Sequence, residues 1–413
     1  MKRTVLFLAA ATLVFMTACS HRDGLKISKP EHRGMDGERL ALIDSVINDA
    51  IANKIIPGAV VSVVRDDRIV FLEAYGNRQV VPDTVKMTTE TLFDMASVSK
   101  CVGTTLSFMQ LIEKGLVRLS DRVDRYIPGF RNWVDPETGE EDEITIQDLL
   151  THSSGVIPYI GEKEYTSRFA VNQPDSLMWY IATQTPRRFK PGTRQMYSCL
   201  NFITLQNILQ KITGERLCDY AQKHVFDVLE LKHTTYFPLF GEPQSNPDAE
   251  ELAKLCAATE VQADGKPLVA QVHDPIARLG NAGNSGNAGV FSNATDLSVI
   301  CAALMNGGAY RGRRILGSET VRKMFEIPFD NSPEVARALG WDTYEMYPGT
   351  SGDIFDRSCT VGHTGYTGTS IIIDPSTKTA VIILANRVHP TDDGNLGRVR
   401  ATIANIVASS IAE

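Results

Sequence analysis

Apolar residues recur at helical spacing near both ends of the chain. In residues 35–52, Leu40, Ile43, Val46, Ile47 and Ile51 share one stripe, which predicts a helix stopped before Pro57-Gly58. Residues 59–64 and 69–74 are β-rich runs on either side of Asp66-Asp67, a hairpin signal. Residues 97–114 read as a helix closed by Gly115. Late in the chain, residues 370–373 and 380–384 read as strands around Asp374-Pro375. A final helix over 396–411 follows, with Val399, Ile403, Ile406 and Ile411 on its apolar side.

The middle differs. From 116 to 277 the pattern is one of short helices and loops. Thr145-Ile146-Gln147-Asp148 reads as a capping box, and helices are expected over 200–212, closed by Gly214, and over 217–228. Gly280, Gly283, Gly286 and Gly289 then recur every third residue, with no lysine placed to make a phosphate loop. They predict a tight loop whose backbone approaches something closely. The economical architecture is an α/β (α+β) body from residues 37–115 and 278–413, with 116–277 as an inserted helical subdomain.

Residues 1–18 read as an address. Lys2 and Arg3 precede an apolar run over 5–16 that is short for a membrane span and fits the core of a signal peptide. Met16-Thr17-Ala18-Cys19 resembles a bacterial lipobox, with Cys19 as the lipidated first residue of the mature chain. Residues 19–36 would then be a polar tether. The expectation is an exported protein, lipid-anchored on the periplasmic side of a bacterial membrane.

Composition narrows the classes. Of 413 residues, 43% are apolar and 22% charged, which excludes wholesale disorder, collagen and coiled coil. The formal charge of −7 falls to −9 once Lys2 and Arg3 are removed, so phosphate-tracking nucleic-acid binding is not expected. Six cysteines besides Cys19 are scattered without CxxC spacing. Those at 101, 218 and 301 sit in apolar helical patterns and read as buried thiols. No zinc-ligand spacing occurs.

Three short motifs could carry chemistry. Ser97-Val98-Ser99-Lys100 puts a hydroxyl and an amine on one helix face, where a lysine with a disfavoured ammonium can activate the serine. Tyr197-Ser198-Cys199 offers a phenol that can relay a proton to a leaving group. His363-Thr364-Gly365 precedes a strand-like run and suits an edge strand facing a cleft, where an extended substrate can pair and an N–H can bind an oxyanion. His152 reads as the C-terminal cap of the short helix through Leu150, and no G-x-S-x-G elbow is present.

In this order the motifs resemble the serine β-lactamase and penicillin-binding-protein superfamily, in its class C-like branch. Phe93 to Lys100, Leu149 to Gly155, Val272 to Pro275, Gly289 to Ser292, Leu339-Gly340-Trp341, Gly362 to Gly368 and Asn386 to Pro390 carry the resemblance. It implies an antiparallel sheet flanked by helices, with a helical subdomain and the site between them, and neither metal nor cofactor. Ser97 would accept the acyl group, while Lys100 and Tyr197 share the acid and base work. The N–H groups of Ser97 and Tyr366 would form the oxyanion hole. His363, Thr364 and Gly365 would line the substrate edge.

Cys199 stands where the family usually has Asn, whose amide can bond both lysine and substrate; Asn201 would point to another face if the helix has begun. His363 stands where many β-lactamases have Lys. The implied protein is a monomeric serine hydrolase acting on a D-amino-acid peptide of cell-wall type, a β-lactam, or a small ester or amide. Its only other partner would be membrane lipid through Cys19. A catalytically weak binding or sensor lipoprotein is the alternative that Cys199 leaves open.

Overall fold

The computed structural model describes residues 24–328, 332–343 and 350–412. The leader 1–18 and Cys19 lie outside them. The main sheet runs in the order Lys26–Ile27, Arg68–Gln79, Gly58–Arg65, Thr379–Ala385, Ser370–Asp374, Val361–Thr364, Asp342–Thr343. Each pair of neighbours is antiparallel except the first, where Lys26–Ile27 lies parallel to Arg68–Ile69. The expected antiparallel sheet flanked by helices is present, and one parallel pairing at its edge makes it mixed. The predicted hairpin turns at Asp66 and Asp67, with φ of 45° and 59°. Two successive positive φ values match the right-handed twist of the flanking strands, and aspartate tolerates them.

The central strands are buried on both faces, and their side chains alternate between two layers. Val61, Val63, Val381 and Ile383 pack with Ile43, Ile47, Ile403 and Val407 of the helices Leu42–Ala52 and Gly397–Ser409. Val60, Val64, Ile382 and Leu384 face the other way, toward Leu297 and Ile300 of the helix Ala294–Met305. That second layer runs without a break into Leu149, Leu200 and Leu217 of the inserted helices. Body and insertion thus share one core, which fixes the walls of any cleft between them.

A three-stranded patch joins the halves: Val290–Ser292 lies between Phe93–Asp94 and Thr235–Tyr236. The Thr145 capping box closes as expected on Asp148. The expected approach of the glycine loop is also present. A Cβ on Gly286 would stand 2.1 Å from the carbonyl oxygen of Phe202, and one on Gly283 2.6 Å from that of Phe237.

The tether expectation needs correcting over its described part. Residues 24–36 pack on the body: Leu25 and Met35 are buried in opposite layers, and Lys26–Ile27 extends the sheet. The segment is mostly polar, so its two isolated anchors show no periodicity. A chain shortened to begin at Gly37 should therefore unfold at lower denaturant than one beginning at Gly24. Each lost anchor is worth about 1.5–3 kcal/mol, and equilibrium urea titration of the two chains measures it.

Candidate active site

The strand Phe93–Asp94 delivers the chain to Ser97 through a strained step. Ala96 has φ of 44°, unusual for a residue with a Cβ. Its N–H is held by Asp94 Oδ1 at 2.8 Å, while Asp94 Oδ2 accepts the N–H of His273 at 2.6 Å. The buried Asp94 carboxylate therefore ties the Ser97 turn to the insertion. Burial raises its pKa against the pull of these two N–H donors. The helix predicted over 97–114 opens with a 3₁₀ turn at Ala96–Val98, passes through one π turn at Lys100–Thr105, and becomes regular at Leu106–Glu113.

Lys100 is fully buried. Its Nζ donates to Ser97 Oγ at 3.0 Å and to the Asn287 carbonyl at 2.7 Å, and lies 3.6 Å from Cys199 Sγ. Asn287 belongs to the glycine loop. The close approach of Gly286 to Phe202 is what brings that carbonyl to the amine. Lys100 Nζ also sits 5.0 Å from the centre of the Tyr197 ring, and the Tyr197 hydroxyl is buried without a hydrogen-bond partner. Burial pushes the Tyr197 phenol up to about 12, with Lys100 pulling against it. Burial likewise raises the Cys199 thiol. Lys100 is drawn both ways. Burial disfavours its ammonium, the negative charge of an ionised Cys199 or Tyr197 favours it, and the balance lies upward. The charges of Lys100, Tyr197 and Cys199 thus act on one another's proton affinities.

The far wall is the edge of the main sheet. Pairing from Asp342–Thr343 covers Val361 and Gly362 and stops there, so His363 and Thr364 stand at an uncovered edge. Their turn is sewn to the start of the Ser97 segment: Thr367 Oγ1 donates to the Asp94 carbonyl at 2.7 Å, and Thr369 Oγ1 to that of Met95 at 3.0 Å. Gly365 has no room for a side chain, since a Cβ would lie 2.1 Å from Thr369 Oγ1 and 2.5 Å from the Met95 oxygen.

Ser97, Tyr197, His363, Thr364, Gly365 and Tyr366 line one cleft of about 410 Å³. Lys100 and Cys199 stand behind Ser97 and Tyr197. A hydroxyl beside an amine, a tyrosine ring packed near the same amine and a glycine-bearing strand edge opposite form a set that can move an acyl group. Among the described residues no cluster of three or more His, Cys, Asp or Glu is arranged to hold a metal.

A family model described as Beta-lactamase matches residues 43–405. The chain belongs to this family. It is 29% identical over 416 residues to a protein of Escherichia coli (strain K12) named "Putative D-alanyl-D-alanine carboxypeptidase", covering 94% of this chain and 92% of that one. It is 30% identical over 391 residues to the "N-acetylmuramyl-L-alanine amidase" of Bacillus subtilis (strain 168), covering 88% and 84%. Two solved structures share the fold. One is EstCE1, titled a hydrolase with promiscuous acyltransferase activity (TM-score 0.69, 22% identity, 90% and 99% covered). The other is a class C beta-lactamase (TM-score 0.67, 20% identity, 91% and 97% covered).

Within the family site, Asn201 does not stand in for the missing amide. The helix Cys199–Thr213 has begun by then, and Asn201 Oδ1 accepts from Ser154 Oγ at 2.7 Å, in the core. His152 does more than cap. It lies just past the helix Ile146–Leu150 with φ of 56°, as expected, but its Nδ1 also accepts the Ser198 N–H at 3.0 Å. Its ring packs 4.3 Å from that of Tyr197. Sequence reasoning missed several residues. Arg337 is buried, ion-paired with Asp342 and 5.6 Å from the Tyr197 ring; Asp342, Arg387 and Arg400 line the cleft. Arg337 and Arg387 lie in or beside segments that carried the resemblance, but charge alone did not mark them.

His363 is neutral in this setting: burial lowers its pKa to about 4. The unfolded chain, with an ordinary histidine near 6.5, takes up its proton first. Stability from this group is therefore complete above pH 6.5 and is lost as pH falls toward 4, on the order of 3 kcal/mol. Denaturant titration from pH 7 to 4 should show His363→Gln losing stability less steeply than the parent. The slope that remains belongs in part to His152, which burial also holds well below 6.5.

Proposed function

We propose that this Beta-lactamase-family protein is a serine hydrolase that forms an acyl-enzyme on Ser97. The observation that carries the reading is the hydrogen bond from the buried Lys100 amine to Ser97 Oγ, with the Tyr197 ring centre 5.0 Å from the same amine. Both groups hold their protons at rest, so the Lys100–Tyr197 pair must first release one to solvent; it then takes the proton of Oγ as Oγ attacks the substrate carbonyl. The carbonyl π electrons move to oxygen, facing the N–H groups of Ser97 and Tyr366. When the carbonyl re-forms, the bond to the leaving amine or alcohol breaks, and that group takes the proton back from the pair. Water then repeats the sequence on the acyl-enzyme and frees Ser97. His363, being neutral, meets substrate as a dipole rather than a charge.

We place the preferred substrate among small peptide amides of cell-wall type. The names of the two relatives both point to amides of that material. Cys199 weighs against efficient β-lactam hydrolysis, because a thiol is a poor donor where an amide would serve both lysine and substrate. We also read residues 1–18 as an export signal and Cys19 as lipidated, so the enzyme would work beside the cell wall.

An activated ester should be hydrolysed by the mature chain, and Ser97→Ala should lower the rate by roughly a thousand-fold or more. Mass spectrometry should find the acyl group on the Ser97 peptide. An intact, folded parent with no rate above Ser97→Ala would favour the binding or sensor reading. Cys199→Asn should speed β-lactam turnover by roughly ten-fold, since a missing amide bond in a buried site costs about 1–3 kcal/mol. Cys19→Ala should release the protein from membranes, read by fractionation.

A further inference from the structure

The turn that follows His363 is held from behind by an arginine that no motif marks. Arg400 projects from the helix Gly397–Ser409 and is 9% exposed where it meets the cleft. Its Nη2 donates to the carbonyl oxygens of Gly365 at 3.3 Å and Thr369 at 3.0 Å, and its Nε is buried without a hydrogen-bond partner. Burial and the like charge of Arg387 bring its pKa down to about 10, and among the described residues no carboxylate pairs with it. A buried cation without an acid partner is costly, so the groups it does face matter. They are two peptide oxygens and the cleft.

The Gly365–Tyr366 peptide is not among the cis bonds of the described chain, so its C=O and N–H point in opposite directions. Its oxygen accepts the Gly368 N–H at 3.1 Å, which closes the turn, and Arg400 Nη2 at 3.3 Å from the helix side. Its N–H, that of Tyr366, therefore points away from both of these donors. One peptide earlier, the Gly365 N–H donates to Thr369 O at 2.7 Å, the same oxygen that Arg400 binds, so the turn is tied at two successive peptides. A cation on the oxygen end of a peptide also makes its N–H a stronger donor, because successive hydrogen bonds polarise one another.

Resting on the reading of Ser97 as acyl acceptor, we propose that Arg400 is a positioning residue for acyl transfer. Through the Gly365 carbonyl it aims and polarises the Tyr366 N–H toward the oxygen of the tetrahedral intermediate. It transfers no proton. The negative charge it favours is the carbonyl electron pair displaced by Ser97 Oγ, and the effect ends when that pair re-forms the double bond. Such a contribution exists in the transition state more than in the ground state, so it belongs to kcat rather than KM.

The test uses the whole mature chain with two activated esters, one neutral and one carrying a carboxylate on its acyl group. An alkyl boronic acid serves as a mimic of the tetrahedral adduct. Arg400→Met should lower kcat on both esters by roughly 10- to 100-fold, somewhat less than loss of an oxyanion donor outright, with KM nearly unchanged. Boronic acid affinity should weaken by a similar factor. Arg400→Lys keeps the charge but not the fork, and should recover part of both. If Arg400→Met fails to fold by thermal melt, Arg400→Lys and Arg400→Gln carry the same comparison. A rise in KM confined to the carboxylate ester, with kcat kept, would make Arg400 a substrate-carboxylate ligand and overturn the proposal. So would unchanged kcat and boronic acid affinity in folded variants. A parent chain that neither turns over ester nor labels at Ser97 would instead remove the Ser97 reading and this inference with it.

Discussion

A lysine amine taken wholly out of water is the constraint around which this molecule is arranged. Lys100 Nζ gives up its hydration for Ser97 Oγ and the Asn287 carbonyl, with Cys199 Sγ at a longer reach. Burying such a group costs several kcal/mol unless its donors are met. Each partner comes from a different part of the chain. Ser97 comes from the first body segment, Cys199 from the first turn of an inserted helix, and Asn287 from the glycine loop that returns the chain to the body. The fold therefore has to close around the lysine, and the glycines are what let it close so tightly.

The same economy governs the opposite wall. The turn between Val361–Thr364 and Ser370–Asp374 is tied forward to Asp94 and Met95 through Thr367 and Thr369, and backward to the last helix through Arg400. Its outer side is pinned by Arg387. The Nε and Nη2 of Arg387 donate to the Tyr366 carbonyl at 3.0 and 2.6 Å, and its Nη1 pairs with Asp392 at 2.7 Å. Two N–H groups separated by about 270 residues of sequence can serve one oxygen only if both peptides are fixed. The side-chain bonds onto backbone carbonyls do this without covering the cleft. Charge is handled in a consistent way: Asp94, Arg337 and Arg400 carry formal charge into buried or nearly buried places, and each spends it on backbone groups or a single ion pair beside the reacting atoms.

Local pattern was enough for much of the architecture. The hairpin at Asp66-Asp67, the capping box at Thr145, the helix ending at Gly214 and the close approach of the glycine loop are each set by a few neighbouring residues, and each is present. The segment before Gly37 was misjudged because two buried residues, Leu25 and Met35, make no period that a sequence can show. The parallel pairing of Lys26 with Arg68 is invisible for the same reason: it depends on where a polar strand is laid, not on what it contains. At the cleft, Ser97, Lys100, Tyr197 and His363 could be named because their three motifs, each weak alone, resemble a known family when taken together and in order. Arg337, Arg387 and Arg400 could not, since arginine is common and only burial separates these from the arginines at the surface.

By itself, then, the chain's order of residues determined many of the helices and strands, the membership of a family and the residue types that chemistry requires. Those properties are local or additive along the chain. Tertiary structure alone decided what each group has become. It decided that His363 is neutral, that Lys100, Tyr197 and Cys199 shift one another's proton affinities, and that Asn201 turns away from the site. It also placed a buried arginine behind the Gly365 carbonyl. These are consequences of burial and of distances between residues remote in sequence, and electrostatic energy depends on both.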